Sequence, residues 1–143
     1  MPFRFLEEEA TADIAFEAWG KGIEETFLSA GDAVMNVMVE DLDSIRPGER
    51  RTFKLKNEAL DLFLLGFLQE LIYYKDSESL MLRPESVCIQ KQESQFVLEA
   101  TARGEKLDPT PHRPGVDVKA VTLHRFSLEK NPQGWKAFVI LDI

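Results

Sequence analysis

The polar chemistry within reach of this sequence is carboxylate chemistry. It carries no P-loop and no GxGxxG, HExxH, CxxC or GxSxG motif. Its two histidines and one cysteine cannot build a typical zinc site without carboxylates. Two aspartates stand out by their surroundings. Asp13 sits in Thr11-Ala12-Asp13-Ile14-Ala15-Phe16, among small and apolar residues where a strand begins, although aspartate is disfavoured inside strands. It can cap a local turn or ligate an ion. Asp142 stands one residue before Ile143, at the end of a strand pattern that runs through 135–143. Most domains end in loose residues, so a packed last strand would hold the terminal carboxylate of Ile143 in place beside Asp142. With Asp13, these groups would form an oxygen-only set. Such a set selects a hard divalent cation: calcium, magnesium or manganese. Calcium takes about six to eight oxygens, so water or backbone carbonyls would supply the remainder. Spacing alone favours the capping role, because nothing in the sequence brings Asp13 to Asp142.

A second group of polar residues lies in Val118-Lys119-Ala120-Val121-Thr122-Leu123-His124. Strand alternation puts Thr122 and His124 on one face and Lys119 on the other, unless a bulge intervenes. A lone strand histidine is more often a hydrogen-bonded structural group than a catalyst, while Lys119 is available to a phosphate or an acidic partner. His112 lies with Asp108 and Arg113 in an irregular stretch, 104–115, stiffened by Pro109, Pro111 and Pro114. Lys119, Thr122, His124 and His112 are the candidates for touching a partner or supporting the carboxylates.

The elements that must position these residues follow from periodicity. Ile23, Phe27, Ala30, Val34, Val37 and Met38 recur at helical steps and predict a helix over about 22–40, with Glu24 and Glu25 in its first turn, where the dipole favours acids. A second helix is predicted over about 57–75, with Asn57 as N-cap and a broad stripe from Leu60 to Ile72. Leu62 and Leu65 widen that stripe, so this helix is expected to be the more buried. Gly66, unfavourable inside a helix, is read as a point of close approach. Alternation predicts strands at 51–55, around Phe96–Ala100, around Val116–Ala120 and through Trp135, Ala137, Val139 and Leu141. Phe138 and Ile140 make the other face of the last strand apolar too, which argues for a central position. Asn131-Pro132-Gln133-Gly134 is a turn. Helices and strands are grouped, not strictly alternating. The expected fold is α+β, a two-layer arrangement of two helices on a mainly antiparallel sheet.

The chain of 143 residues is read as one domain, 1–143. Seventeen basic against 25 acidic residues give a net charge of −8. That charge repels phosphates and argues against a broad nucleic-acid groove, though not against a small basic patch. Cys88 has no partner for an internal disulfide and is expected to be a buried reduced thiol, which fits a cytoplasmic protein. The N-terminus turns acidic too soon for a signal peptide. No apolar run reaches the roughly 18–20 residues of a membrane span.

Taken in order, these residues resemble the archease family. The shared pieces are Phe3-Arg4-Phe5-Leu6, Ala10-Thr11-Ala12-Asp13-Ile14, Trp19-Gly20-Lys21-Gly22-Ile23, the Leu-rich segment ending Tyr73-Tyr74-Lys75-Asp76, Gly104-Glu105 with Pro111-His112, Val118 to His124, and Gly134-Trp135 through Asp142-Ile143. One departure is Ala10, which stands where the family usually has histidine. The resemblance implies a metal site at Asp13, Asp142 and Ile143, with calcium preferred. It also implies a non-catalytic accessory protein for an RtcB-type RNA ligase, promoting guanylylation of the ligase's own histidine in tRNA splicing or RNA repair. No membrane association and little direct nucleic-acid binding are expected. A second class is a chaperone-like partner of an RNA-modifying enzyme such as a tRNA methyltransferase. A metal-dependent hydrolase is a third, disfavoured by the lack of a general base beside the carboxylates.

Overall fold

Apolar stripes and alternating runs become elements close to where periodicity puts them. The computed structural model describes residues 2–6, 13–108 and 112–143. In chain order these form β1 (Phe3–Leu6), β2 (Asp13–Gly20), α1 (Ile23–Met38), a 3₁₀ turn (Leu42–Ser44), β3 (Glu49–Asn57), α2 (Leu60–Glu78), β4 (Leu80–Gln92), β5 (Gln95–Lys106), β6 (Ala120–Asn131) and β7 (Gly134–Asp142). The fold is α+β and its strand pairs are antiparallel, as expected. The strands divide between two sheets, ordered β1-β2-β7-β6 and β3-β5-β4. None of the described helices is long and apolar enough to cross a membrane.

Both helices touch both sheets. α1 packs on β2 and β7 of the first sheet and on β4 of the second, and α2 packs on β6, β3 and β4. Covered from both sides, α1 is the more buried helix, contrary to the stripe-width argument. It buries even Thr26, Ser29 and Asp32, whereas α2 leaves Leu62 and Tyr73 exposed. The hydroxyls of Thr26 and Ser29 donate to Gly22 O and Glu25 O one turn back. The buried Asp32 accepts two hydrogen bonds from Arg83 of β4, at 3.0 and 3.2 Å. Paired in this way, a buried carboxylate is tolerable.

Four further expectations are corrected. The N-cap of α2 is Ala59, and Asn57 instead accepts a hydrogen bond from Ala59 N at 3.0 Å, closing the turn before the helix. A Cβ on Gly66 would meet only Leu55 Cδ1, at an ordinary 3.5 Å, so no neighbour demands glycine there. Cys88 is exposed. It faces Glu99 across β4–β5, on the side opposite to the buried set opposed to Val87 and Ile89, namely Ala100 and Leu98. The strand expected around Val116–Ala120 begins only at Ala120, because Gly115 N and Val116 N bond back to Met38 O and Val37 O at the end of α1.

Candidate functional site

β7 lies between β2 and β6, and its register decides which side chains share a face. Asp13 and Asp142 are direct cross-strand partners at one end of the β2–β7 ladder. Opposed residues of an antiparallel pair project to the same side, so both carboxylates leave the sheet together. Phe16, Ala18, Ala137, Val139 and Leu141 fill the core on the helix side. The aspartates belong to the alternate set, with Ala15 and Ile140, on the side away from the helices. Asp13 is half-buried and Asp142 exposed. No ion pair joins either of them to a cation among the described residues. Ile143 falls on the core side and packs against the buried cluster, which anchors the backbone just beyond Asp142.

The other candidates separate. Lys119 is exposed, and its backbone N–H donates to the backbone carbonyl of Asp142 at 2.8 Å, which fixes its main chain at the end of β7. Thr122 opposes Ile140, on the same face as Asp142. Its Oγ1 is buried and has no hydrogen-bond partner among the described residues. A register shift follows between Thr122 and Ser127, and the alternation that would have joined Thr122 to His124 ends there. Arg125, with φ +57°, lies over the Phe138 ring at 4.8 Å. His124 and Leu123 are exposed in this excursion.

His112 is fully buried and offers no surface to a partner, which corrects that part of its reading. Its Nδ1 accepts from Asp108 N at 2.8 Å and its Nε2 lies 2.9 Å from Glu105 Oε2, so the ring proton sits on Nε2. Glu105 also accepts from Arg46 N at 2.7 Å. That backbone donor first, and His112 second, hold the Glu105 carboxyl down at about 2. The cluster ties Asp108 and His112, through Glu105, to Arg46 in the chain before β3, a structural task.

At the opposite end of the β2–β7 ladder is a groove of about 590 Å³, lined among others by Trp19, Trp135, Arg4, Lys21, Lys136 and Glu17. Register opposes Trp19 to Lys136 and Gly20 to Trp135. Two glycines make this geometry. Gly134, at φ +142°, would put a Cβ 2.2 Å from Gly20 O, and a Cβ on Gly20 would lie 2.6 Å from Glu25 Cβ. Glu17 accepts two hydrogen bonds from Arg4, at 2.8 and 2.7 Å, and pairs with Lys136. Burial works against its charge, but the bonds from Lys136 and Arg4 outweigh it and hold the carboxyl below its ordinary range.

A sequence model of the archease protein family matches residues 3–143. The chain belongs to the archease family. It is 38% identical to the archease of Pyrococcus abyssi over 98% of this chain and 99% of that one. It is 35% identical to the archease of Methanosarcina mazei, over 94% and 92%. The solution structure of protein 1598 of Methanobacterium thermoautotrophicum superposes with a TM-score of 0.85 at 32% identity, covering 99% and 98% of the two chains. A crystal structure of a Thermotoga maritima archease, described as a possible chaperone, shares the fold with a TM-score of 0.58 at 21% identity over 94% of each chain.

Against the archease motifs, Asp13 and Asp142 are cross-strand partners and the Lys119 backbone bonds to that of Asp142, whereas Ala10 lies outside the described residues. Residue reading missed the groove. Its signal was present in the Trp19-Gly20-Lys21 and Gly134-Trp135 steps, which no local pattern shows to be neighbours. It also missed Glu105 as the partner of His112, because the four-residue step from Asp108 to His112 and the bond back to β5 form no periodic pattern.

Proposed function

We propose that this archease-family chain is a non-catalytic accessory protein that activates an RtcB-type RNA ligase by promoting guanylylation of the ligase. Asp13, Asp142 and the carboxylate of Ile143 would hold a divalent cation, with calcium preferred. The observation that carries this reading is the cross-strand pairing of half-buried Asp13 with exposed Asp142. Like charges placed directly opposite destabilise a sheet, and a bound cation would relieve that repulsion. The donor set is oxygen only, which fits a hard ion. The buried Thr122 Oγ1 on the same face, unpartnered among the described residues, supplies a further polar group for an ordered water.

Within this reading the roles of the chain's own residues are positional. β2 and β7 present the two carboxylates on one rigid ladder. The Ile143 side chain holds the end of β7 against the core. Lys119, exposed and bonded to Asp142 through its backbone, would offer its ammonium to a phosphate or carboxylate of the partner. A bound divalent cation would supply positive charge for phosphate oxygens at the partner's active site.

The test is guanylylation of the ligase from the same source, with and without this protein. Stimulation is expected with the wild type and its loss with Asp13→Ala, Asp142→Ala or a short tag after Ile143. Full stimulation by all three variants would sink the reading. It would favour a chaperone-like accessory role that uses the acidic surface without an ion, in line with the description given to the Thermotoga protein.

A further inference from the structure

We propose that the groove at the Trp19 end of the β2–β7 ladder binds one or two nucleotides of a single-stranded nucleic acid, base against indole and phosphate toward Lys21. Four observations carry this. First, the chain has two tryptophans, far apart in sequence, and both line this one groove. Trp19 is 40% exposed, an unusual outlay of indole surface for a side chain with only a structural task. Every base offers a flat π-face to such a ring.

Second, the lining is cationic where the chain is acidic. Arg4, Lys21 and Lys136 face Glu17 and Glu25, on a molecule whose net charge is −8. Glu17 occupies Arg4 and Lys136. Glu25 accepts from the backbone N–H of Lys21 at 2.9 Å, and no ion pair engages Lys21 Nζ among the described residues. Lys21 is therefore the cation left over for a phosphate. Third, Asn131 and Gln133 line the same groove. Asn131 Oδ1 accepts from Gln133 N at 3.0 Å, which fixes the hairpin. Their side-chain amides carry donors and acceptors suited to a base edge.

Fourth, size sets the occupant. A volume of about 590 Å³ lies in the range of about 300–1,000 Å³ typical of small-ligand clefts. One uncompensated cation neutralises one phosphate, not a strand. This agrees with the net charge, which argues against a broad nucleic-acid surface. The groove and the carboxylate pair lie six residues apart along β2, on the order of 20 Å, so a short single-stranded end held here leaves the acidic end of the ladder free. An acidic peptide would satisfy the cation but would make no use of the indoles.

The experiment is a titration of the intact protein with a five-residue oligoadenylate at low salt, read by intrinsic tryptophan fluorescence. Both emitters line the groove, so quenching reports on it. Saturable quenching is expected. Trp19→Leu should weaken binding by about 5- to 150-fold, as loss of one stacking contact does. Trp19→Phe should retain most of it. Lys21→Gln, at an exposed position that leaves folding intact, should reduce the slope of log affinity against log salt by about 0.7, the single-strand value for one phosphate contact. Asp13→Ala should bind as the wild type does. Circular dichroism on each variant separates lost binding from lost fold. Absence of saturable quenching at millimolar oligonucleotide would overturn the proposal. So would an unchanged salt slope in Lys21→Gln, or equal competition by a glutamate pentapeptide, which would show a charge-only acceptor of acidic peptides. The titration contains no ligase, so its outcome is independent of the activator reading.

Discussion

Lys75 of α2 donates to Val118 O at 2.7 Å. The same ammonium lies 2.7 Å from Asp117 Oδ1 and also engages Asp76. It therefore ties the helix to the segment that delivers Lys119 to Asp142. Its side chain is only 10% exposed. Burial alone would lower its pKa, but the bonds to Asp117 and Asp76 outweigh that and raise it above 10.5. Lys75→Met is expected to cost about 1.5–3 kcal/mol, the range for hydrogen bonds to a charged group, measured by urea unfolding at neutral pH. Because the folded pKa is raised, the wild-type advantage is fully present below 10.5 and shrinks only as pH rises through the folded value. An unchanged midpoint would mean that Val118 is held in place by its buried side chain alone.

The Glu105 cluster has the opposite sign. Its carboxyl is depressed from 4.5 to about 2. Its contribution is present above the unfolded value and is lost as pH falls through the folded one. Glu105→Gln should lower stability by about 1.5–3 kcal/mol at pH 7. The gap to wild type should close between pH 4.5 and about 2. Denaturant midpoints at a series of acid pH values check this, and a gap that persists at the acid end would contradict the assignment.

For the carboxylate pair the expectation is a dissociation of ion response from folding. Without divalent ions, Asp13→Ala or Asp142→Ala should leave the melting temperature unchanged or raise it, since opposed like charges cost about 0.2–1 kcal/mol. Calcium should raise the melting temperature of the wild type and not of either variant. Leu64→Ala is the contrast. Leu64 is fully buried, and the change should cost about 2–5 kcal/mol through lost burial and a cavity. Equal calcium responses in wild type and both aspartate variants would place the ion elsewhere.

Gly66→Ala should stabilise the protein by about 0.5–1 kcal/mol. The position is interior to α2 and the added methyl meets only Leu55 Cδ1 at van der Waals distance. Thermal melts of the two proteins decide it, and a lower melting temperature would restore the reading of glycine as a packing requirement.

What could be read from the residues alone tracks how local each signal is. Both helices, the central place of β7 and the 131–134 turn rest on spacing within a few residues. The burial of α1 does not, because it comes from a second sheet whose strands are distant in sequence. Likewise Asp13 is an ordinary turn aspartate until β7 is laid beside β2. The resemblance to archeases named Asp13 and Asp142 as partners, and register then put them opposite each other. His124 was grouped with Thr122 by alternation, which fails where the β6 ladder shifts. Lys119 reaches Asp142 through a backbone bond that no side-chain pattern encodes. Cys88 was judged from residue type, whereas its neighbour across the ladder decides its face.

The place of β7 bears on how the molecule is made during synthesis. It is the last strand of the chain, yet it separates β2 from β6 in the first sheet. While the chain emerges, the β3-β5-β4 sheet can assemble from near neighbours in sequence, but β1–β2 and β6 have no common neighbour until the final residues arrive. Closing that long loop is entropically the slow step. The two aspartates therefore meet only once β7 lies between β2 and β6. On the activator reading proposed above, a partner that recognises the pair would engage only a chain whose β7 is already in place, and would pass over one still folding.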